Sequence, residues 1–340
     1  MSQRKRIGVV LFQLGGPDTP NAIEPFLYNL FCDPDIINFP GAWLARKPLA
    51  WWIAHRRSRV VGEHYAAIGG QSPIRLLTER QAHALERALA PHCDARCFVA
   101  MRYWKPFTAD AVAAVRAAPI DELVLLPLYP QYSFATTTSS LKEWNRLYRP
   151  AEPAPRVHQI NDFYAHPLYI EALVARINTT LRHFVHPDRP QFVFSAHGLP
   201  LSLVERGDPY PQQVAETVRL VMQHGAWDNE FTLCYQSKVG RQHWLAPSLT
   251  ATIERLAQEG KKELLLIPIS FVTEHIETLH EINIEAREEA QHLGVEKFDM
   301  MPAVGDSPIF ISALADLVLQ VAGIGADSPL KEVGKLAESS

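Results

Sequence analysis

Two stretches of this sequence, far apart in the chain, are nearly the same, and they restrict the folds that it can adopt. E-L-V-L-L-P-L-Y occupies Glu122–Tyr129, and E-L-L-L-I-P-I-S occupies Glu263–Ser270. Each is a short, continuous apolar run, which is typical of a strand buried on both faces of a parallel sheet. A second pair, L-G-G-P at Leu14–Pro17 and H-G-L-P at His197–Pro200, precedes them in the same order. The repetition predicts a duplicated unit.

Other apolar runs also have the length of buried strands, and they alternate with segments of helical periodicity such as Thr78–Leu89 and Pro167–Leu181. Alternation of strand and helix favours α/β architecture. We therefore predict an α/β protein of two similar, Rossmann-like, doubly wound halves with parallel sheets. The predicted strands are Ile7–Leu14, Cys97–Arg102, Leu123–Leu128, Phe192–Ala196, Phe231–Tyr235 and Leu264–Phe271.

The segment A-E-P-A-P-R at residues 151–156 is rich in proline and forms a natural break between the halves. We predict an N-terminal half at 1–153, joined by a C-terminal helix at 308–326 that packs back on it. The C-terminal half then covers 154–307 and carries the candidate site. A polar, flexible tail is predicted at 327–340.

The composition excludes several classes of protein. The chain has 340 residues, a formal net charge of −4 and a pI near 6.4, which give no reason to expect nucleic acid as a partner. No stretch approaches the roughly 20 apolar residues that cross a bilayer, and no cleavage site follows the basic start, so we expect a cytoplasmic protein. The four cysteines lack the paired spacing of a zinc site and are expected to be free thiols.

Charged side chains gather where the repeated strands end. The segment T-E-H-I-E-T-L-H-E follows one strand, and His197 follows another. The carboxyl ends of parallel strands form the ligand crevice of α/β sheets, so we expect both to face one cleft between the halves. On an α-helix, spacings of 3 and 4 put five acidic residues on one face: Glu274, Glu277, Glu281, Glu285 and Glu288. A solvated surface face of a helix would show the same spacing of acidic residues.

A histidine beside carboxylates in a cleft suits acid–base catalysis or a loosely held divalent metal. Spacing excludes several other motifs. His275 and His280 are five apart and do not fit the H-E-x-x-H of zinc proteases, and F-S-A-H-G is not the G-x-S-x-G elbow of hydrolases. Neither the dinucleotide-binding G-x-G-x-x-G nor a Walker A sequence is present.

Two segments, F-S-A-H-G-L-P at Phe194–Pro200 and F-V-T-E-H-I-E-T-L-H-E-I at Phe271–Ile282, resemble the signature segments of ferrochelatases. These enzymes insert ferrous iron into a porphyrin at the end of haem synthesis. The resemblance runs in order from about residue 6 to residue 320. The other matching segments are Leu14–Asp18, Tyr65–Ile74, Met101–Pro106, Pro127–Ser133 and Tyr235–Pro247.

The resemblance implies a class II chelatase-like fold, in which two Rossmann-like halves enclose a porphyrin cleft. It implies that His197 and Glu277 are catalytic and hold the metal, with Glu274 and Glu281 as neighbouring acidic positions of the metal site. The expected reaction inserts Fe²⁺ into protoporphyrin IX and gives protohaem and two protons. The sequence does not divide the roles of proton acceptor and metal ligand between His197 and Glu277.

Motif matches also imply residues that bind the porphyrin propionates. Arg57, Tyr65 and Ser72 are the candidates, because a cation and two hydroxyls suit carboxylates. H-R-R-S-R also contains Arg56 and Arg59, and only one of its three arginines is needed. A solvated surface is the competing explanation for these arginines.

Four further positions follow from the same matches. Arg102 and Tyr103 are expected to line the cleft, and Trp244 is expected to pack on the macrocycle or, alternatively, in the core. Leu14 lies at a turn where relatives that use coproporphyrin often have tyrosine. Its aliphatic side chain therefore favours protoporphyrin IX.

Two features concern cofactors and partners. Some relatives hold a [2Fe–2S] cluster with cysteines of a C-terminal extension; this tail has none, and Phe134 stands where a cysteine can occur. We therefore predict no cluster and no tightly bound cofactor. Residues 26–57 are rich in aromatic side chains and end in arginine, which suits peripheral membrane contact. The alternative is a lip that covers the porphyrin without touching lipid.

Two other functions share these features. A sibling chelatase would insert a metal into coproporphyrin or another tetrapyrrole, and the more distant ones tend to use paired histidines. A non-catalytic porphyrin- or haem-binding protein would have little use for the acidic residues and would more often present a closed axial ligand. The sequence does not indicate an oligomeric state, an iron donor or the route by which iron arrives.

Overall fold

A computed structural model describes residues 4–34, 42–150, 153–237 and 243–324. Within these ranges the strands form two parallel sheets of four. The first sheet contains β1 (Arg6–Gln13), β2 (Asp94–Met101), β3 (Glu122–Pro127) and β4 (Arg156–Gln159). The second contains β5 (Gln191–His197), β6 (Phe231–Gln236), β7 (Glu263–Pro268) and β8 (Lys297–Met300).

The two sheets have the same topology. The strand orders are β2-β1-β3-β4 and β6-β5-β7-β8. The repeated sequence runs form β3 and β7, and each pairs with the first strand of its own sheet. The proline that ends each of these two strands takes an equivalent register, with Pro127 opposite Phe12 and Pro268 opposite Ser195. The predicted α/β fold of two similar parallel halves is confirmed.

Helices connect the strands and cover the sheets, as parallel crossovers require. The predicted helical segments Thr78–Leu89 and Pro167–Leu181 lie within observed helices. A π-helix at Glu277–Ala286 follows β7, and π-helical turns at Phe134–Thr138 follow β3. The α-helices are α1 (Ile23–Cys32), α2 (Ala42–Ala67), α3 (Ile74–Leu89), α4 (Thr108–Ala117), α5 (Ser139–Leu147), α6 (Pro167–Leu181), α7 (Leu201–Glu205), α8 (Tyr210–Gly225), α9 (Leu249–Gln258), α10 (Arg287–His292) and α11 (Pro308–Val321).

One large core runs through both sheets. Its buried side chains come from β1 and α3 of the first half and from β5, β7 and α8 of the second. Helix α11 packs against both α3 and α6, and Phe310 of α11 contacts the rings of Phe163 and Tyr169. Buried apolar side chains therefore join the two halves, in addition to the covalent chain. The boundary near residue 153 stays a prediction.

The last helix ends earlier than expected. It was predicted at 308–326, and it ends at Val321. The predicted tail at 327–340 lies outside the described residues. Within the described part of the chain, no helix is both long enough and apolar enough to cross a membrane.

Candidate active site

The site forms where two neighbouring strands end. His197 is the last residue of β5, and Glu277 is the first residue of the π-helix that follows β7. Because β5 and β7 are parallel and adjacent, their carboxyl ends meet at one edge of the sheet. His197 Nδ1 lies 2.8 Å from Glu277 Oε2. The structure thus brings together the two residues that the sequence singled out.

Each member of this pair determines the ionisation of the other. Burial on its own would lower the pKa of His197, but the charge and hydrogen bond of Glu277, with a contribution from Glu281, raise that pKa above its ordinary value. Burial would raise the pKa of Glu277, but the charge and hydrogen bond of His197, together with His275, hold it well below its usual range. Each member of the pair therefore favours the charged form of the other, and the Nδ1–H of His197 donates to the carboxylate, which can only accept.

The pair is packed closely but is still accessible. The side chain of His197 is 40% exposed, and that of Glu277 is 19% exposed. Phe271 lies beside both histidines of the site, with its ring 6.5 Å from that of His197 and 4.5 Å from that of His275. The exposed part of the His197 side chain therefore leaves the pair accessible to a ligand.

His275 belongs to the site, and the sequence reasoning missed it. Its imidazole is buried, and its Nε2 lies 3.8 Å from the Glu277 oxygen that also faces His197. Its Nδ1 is buried and has no hydrogen-bond partner among the described residues. Its position two residues before Glu277 could have indicated that it belongs to the site. In the sequence, His275 was considered only for its spacing from His280 in a zinc-protease motif.

A polar network holds the backbone of the site in place. The Tyr210 hydroxyl donates to the carbonyl oxygen of His197 at 3.1 Å and lies 2.8 Å from Ser270 Oγ. The Ser195 hydroxyl donates to the Gln236 side chain at 2.6 Å, and it is fully buried. Ser195 is thus a structural donor within β5, which agrees with the rejection of a hydrolase motif.

The prediction that five acidic residues share one α-helical face is wrong. Glu274 precedes the helix, and Glu277–Ala286 is a π-helix, whose i→i+5 hydrogen bonds change the angular spacing of side chains. Glu274 accepts hydrogen bonds from the Ala303 N–H at 2.6 Å and from the Thr278 hydroxyl at 2.5 Å. Its carboxylate therefore fixes the turn that leads into the π-helix.

Glu281 lies within electrostatic range of the pair. It accepts hydrogen bonds from the N–H and the hydroxyl of Ser237, at 2.6 and 2.5 Å. Burial and the Glu277 charge raise the pKa of Glu281, while the two bonds from Ser237 lower it. Glu281 also anchors Ser237 in a left-handed backbone conformation, with φ of 65°, just before residues outside the described range.

Three of the predicted porphyrin-contacting residues pack in one apolar cluster. Leu14, Tyr65 and Tyr103 belong to a cluster that also includes Ile276, the residue before Glu277. Burial, followed by the Glu277 charge, raises the pKa of Tyr65, so its hydroxyl is un-ionised and lies in the field of the site. These residues of the first half therefore adjoin the helix that carries Glu277.

Arg102 is held by a buried carboxylate that the sequence analysis did not identify. Its Nη2 lies 2.8 Å from Asp33 Oδ2, and its Nε donates to Ser139 Oγ at 2.9 Å. The Tyr103 hydroxyl donates to the same Asp33 oxygen at 2.7 Å. The side chain of Asp33 is fully buried, so the charge of Arg102 is already paired inside the protein.

The remaining three predicted residues lie on separate elements. Arg57 is exposed on α2, with its guanidinium 5.8 Å from the ring of Phe31. Ser72 is buried, and its N–H donates to the Pro17 carbonyl at 2.8 Å. Trp244 pairs with Pro200 through an isolated β-bridge.

Trp244 also explains why Gly198 follows His197. A Cβ on Gly198 would lie 2.7 Å from the Gln236 carbonyl oxygen and 3.2 Å from Cε3 of Trp244. A side chain at this position would therefore displace the end of β6 and also press on the Trp244 ring. Trp244 thus lies directly beside the residue that follows the candidate catalytic histidine.

Comparison with known proteins gives a consistent result. The sequence matches the ferrochelatase family over residues 6–322. It is 46% identical to a ferrochelatase of Geotalea daltonii, over 94% of this chain and 99% of that one. It is 48% identical to a ferrochelatase of Citrifermentans bemidjiense, over 92% of this chain and 98% of that one.

Solved structures with low sequence identity share the fold. SirB of Bacillus subtilis, solved with Fe³⁺, has a TM-score of 0.55 at 13% identity, over 94% of this chain and 96% of that one. A multi-domain protein of Deinococcus radiodurans that is described as similar to chelatases has a TM-score of 0.51 at 15% identity. The match covers 96% of this chain and 56% of that longer one.

Replacing Glu277 by glutamine should lower the pKa of His197. The Glu277 charge and hydrogen bond raise this pKa against the effect of burial, so burial dominates once the charge is removed. The pKa can be measured by NMR of protein with ¹³C-labelled histidine, across a pH series. Glu288→Gln, an exposed acid on α10 that is not among the groups that shift the His197 pKa, is the control and should leave the His197 titration unchanged. An unchanged or higher pKa in Glu277→Gln would contradict the coupling.

Proposed function

We propose that this chain, which belongs to the ferrochelatase family, inserts Fe²⁺ into protoporphyrin IX and gives protohaem and two protons. Membership of the family makes it a metal chelatase of haem biosynthesis, with a porphyrin and Fe²⁺ as substrates. The proposal adds the identity of the porphyrin and the residues that carry the reaction. His197 and Glu277 are the catalytic residues and the inner metal ligands in this proposal.

The single observation that carries the residue assignment is the 2.8 Å contact between His197 and Glu277 at the edge of the second sheet. Insertion requires that two pyrrole N–H groups lose their protons and that a hydrated dication loses its water. Imidazole is a proton acceptor suited to neutral pH, and it also binds Fe²⁺. A carboxylate next to the imidazole offsets the charge of the cation. One small site can therefore both accept protons and bind the dehydrated cation.

The order of events follows from the charges of the pair. A protonated His197 and the carboxylate of Glu277 neutralise each other, and each favours the charged form of the other. An Fe²⁺ ion next to this pair disfavours the imidazolium, because like charges repel. His197 then loses its proton and becomes available as a ligand or as a base. Glu277 remains ionised throughout and can hold the cation.

The acidic neighbours have secondary roles in this proposal. Glu281 is close enough to affect the pKa of His197. To bind the cation, its carboxylate would have to give up the hydrogen bond that it accepts from Ser237. Glu274 is proposed as a neighbouring acidic position, and its two protein donors at Ala303 and Thr278 favour an orienting role over direct ligation.

Residues of the first half would bind the macrocycle. Leu14, Tyr65 and Tyr103 share the apolar cluster that reaches Ile276, which supports a role in lining the porphyrin site. The aliphatic Leu14 favours protoporphyrin IX over coproporphyrin. The proposed propionate ligands are Arg57, Tyr65 and Ser72, with Arg102 as cleft lining and Trp244 as an aromatic contact of the macrocycle.

We also propose that the protein carries no [2Fe–2S] cluster. Its four cysteines are free thiols. Cys32 lies in α1, Cys93 just before β2, Cys97 in β2 and Cys234 in β6. Burial raises the pKa of Cys97 above its usual range and that of Cys234 to about 12, which disfavours the thiolates that such a cluster needs.

The test is anaerobic incubation of the purified protein with protoporphyrin IX and Fe²⁺, following the loss of free-porphyrin fluorescence. His197→Ala and Glu277→Gln should each slow insertion by about 100-fold or more, since each removes an acid–base group or a ligand. Glu288→Gln, an exposed acid on α10, is the control and should keep the wild-type rate. Coproporphyrin is compared in parallel.

Three outcomes would argue against the proposal. A near-normal rate in His197→Ala would remove that residue from the mechanism. Faster insertion into coproporphyrin would assign a different tetrapyrrole. Tight porphyrin binding without turnover, in wild type and variants alike, would indicate a non-catalytic carrier.

Peripheral membrane contact through residues 26–57 is proposed for a protein of the cytoplasm. On α2, Trp51 and Trp52 are 56% and 51% exposed. Trp51 stacks on His55, and the guanidinium of Arg56 lies 4.9 Å from the Trp52 ring. Exposed tryptophans beside cations suit the boundary between lipid headgroups and acyl chains. Residues 35–41 of this segment lie outside the described range.

Replacing Trp51 and Trp52 together by serine should weaken binding to anionic lipid vesicles by about tenfold or more, because two interfacial rings are lost. Sedimentation with vesicles of phosphatidylcholine and phosphatidylserine, at low and high salt, measures this. Val185→Ser is the matched control, since Val185 is 86% exposed but lies outside 26–57. Equal sedimentation of the wild type and the double variant would contradict membrane contact through α2.

A further inference from the structure

A buried carboxylate outside the site connects the two halves of the molecule. Asp208 lies between α7 and α8 and is 1% exposed. Its Oδ2 accepts hydrogen bonds from the Ser133 hydroxyl at 2.8 Å and from the Phe134 N–H at 2.7 Å. Its Oδ1 accepts a hydrogen bond from the Tyr210 N–H at 3.0 Å. Because Ser133 and Phe134 follow β3 of the first sheet, one side chain binds both halves.

The neighbouring contacts hold the same two segments together. Gln131 Nε2 donates a hydrogen bond to Thr217 Oγ1 of α8 at 3.1 Å. The Tyr132 N–H donates to Gln213 Oε1 of the same helix at 2.6 Å. All four residues of the segment 131–134 therefore donate to the second half, either to α8 or to Asp208. These bonds fix the start of α8 relative to the end of β3.

The start of α8 in turn reaches the strands that carry the candidate catalytic residues. Tyr210 is the first residue of α8, and its hydroxyl donates to the His197 carbonyl oxygen at 3.1 Å. The same hydroxyl lies 2.8 Å from Ser270 Oγ. His197 ends β5, and Ser270 follows the end of β7 by two positions. Tyr210 thus joins both strand ends through its side chain and Asp208 through its backbone N–H.

We propose that Asp208 is a positioning residue for metal insertion, which sets the place of His197 relative to the first half. It acts through Tyr210 and touches neither the porphyrin nor the metal. This inference rests on the proposed function, in which the first half holds the macrocycle and His197 reacts with it. Misplacement of a reacting group by about 1 Å can slow a reaction about 100-fold, so a contact remote from the chemistry can control its rate.

A helix cap alone does not explain this carboxylate. An aspartate at the start of a helix commonly accepts a backbone N–H of the first turn, and Oδ1 of Asp208 does so for α8. Oδ2 has a different function, because both of its donors belong to the other half. An asparagine could not replace both oxygens, since its amide nitrogen donates and would face another donor. Asp208→Asn therefore breaks the contact with Tyr210 or the contact with the first half.

The first test is the kinetics of Fe²⁺ insertion into protoporphyrin IX by the full-length protein. Asp208→Asn should lower kcat about tenfold or more and leave the KM for porphyrin within about threefold, because the binding groups remain. A residue with only a structural role would lower Tm and leave kcat of the folded protein unchanged. Asp110→Asn is the matched control, since Asp110 accepts the Phe107 N–H at the start of α4, within the first half. It should keep the wild-type kcat.

Two further variants test the individual links. Tyr210→Phe removes the hydroxyl at the end of the path and should lower kcat to a similar extent. Combined with Asp208→Asn, it should be no more than about threefold slower than the slower single variant, because both act on one path. Ser133→Ala removes one bond to the first half and leaves the α8 contact of Asp208 in place. It should lower kcat at least about threefold, and it decides the question if Asp208→Asn does not fold.

NMR separates this inference from the proposed function, because it needs neither porphyrin nor iron. In protein with ¹³C-labelled histidine, the His197 signal, assigned with His197→Ala, should shift or broaden in Asp208→Asn and Ser133→Ala. It should be unchanged in Asp110→Asn. A wild type that inserts no iron while this signal responds would contradict the proposed function and support the positioning. An unchanged signal, wild-type kcat in Asp208→Asn and Ser133→Ala, or losses that multiply in the combined variant would each overturn the inference.

Discussion

The parallel pairing of β5 with β7 is the constraint on which the site depends. It places His197 and the start of the π-helix at one sheet edge, where the imidazole and the Glu277 carboxylate meet at 2.8 Å. Each group then stabilises the charged form of the other against the cost of burial. His275 lies beside the Glu277 carboxylate, and the Tyr210 hydroxyl donates to the carbonyl oxygen of His197. These contacts restrict the movement of the pair.

The first half of the molecule packs against the elements that carry the site. Because one buried core runs from β1 and α3 to β5, β7 and α11, the two sheets hold fixed positions relative to each other. The Gln13 side chain at the end of β1 donates to Thr273 Oγ1 at 3.3 Å, which links the two sets of strand ends directly. Tyr65 and Ile276 complete this contact in an apolar cluster.

Much of this arrangement could be predicted from the sequence. The apolar runs predicted six of the eight described strands, and the rule for parallel strand ends brought His197 and Glu277 together. The edge strands β4 and β8, of four residues each, were not predicted. The π-helix could not be predicted, because acidic spacings of 3 and 4 fit an α-helix equally well. Asp33 was missed because its partner Arg102 is distant in the chain and their contact depends on tertiary packing.

The central claim is that His197 and Glu277 act as one unit in proton removal and metal binding. A double-mutant cycle tests it most directly, with insertion rates measured for His197→Ala, Glu277→Gln and the two combined. If the pair acts as a unit, the double variant should be no more than about threefold slower than the slower single variant. If the two losses multiply instead, the residues act independently and the account of a coupled pair is contradicted.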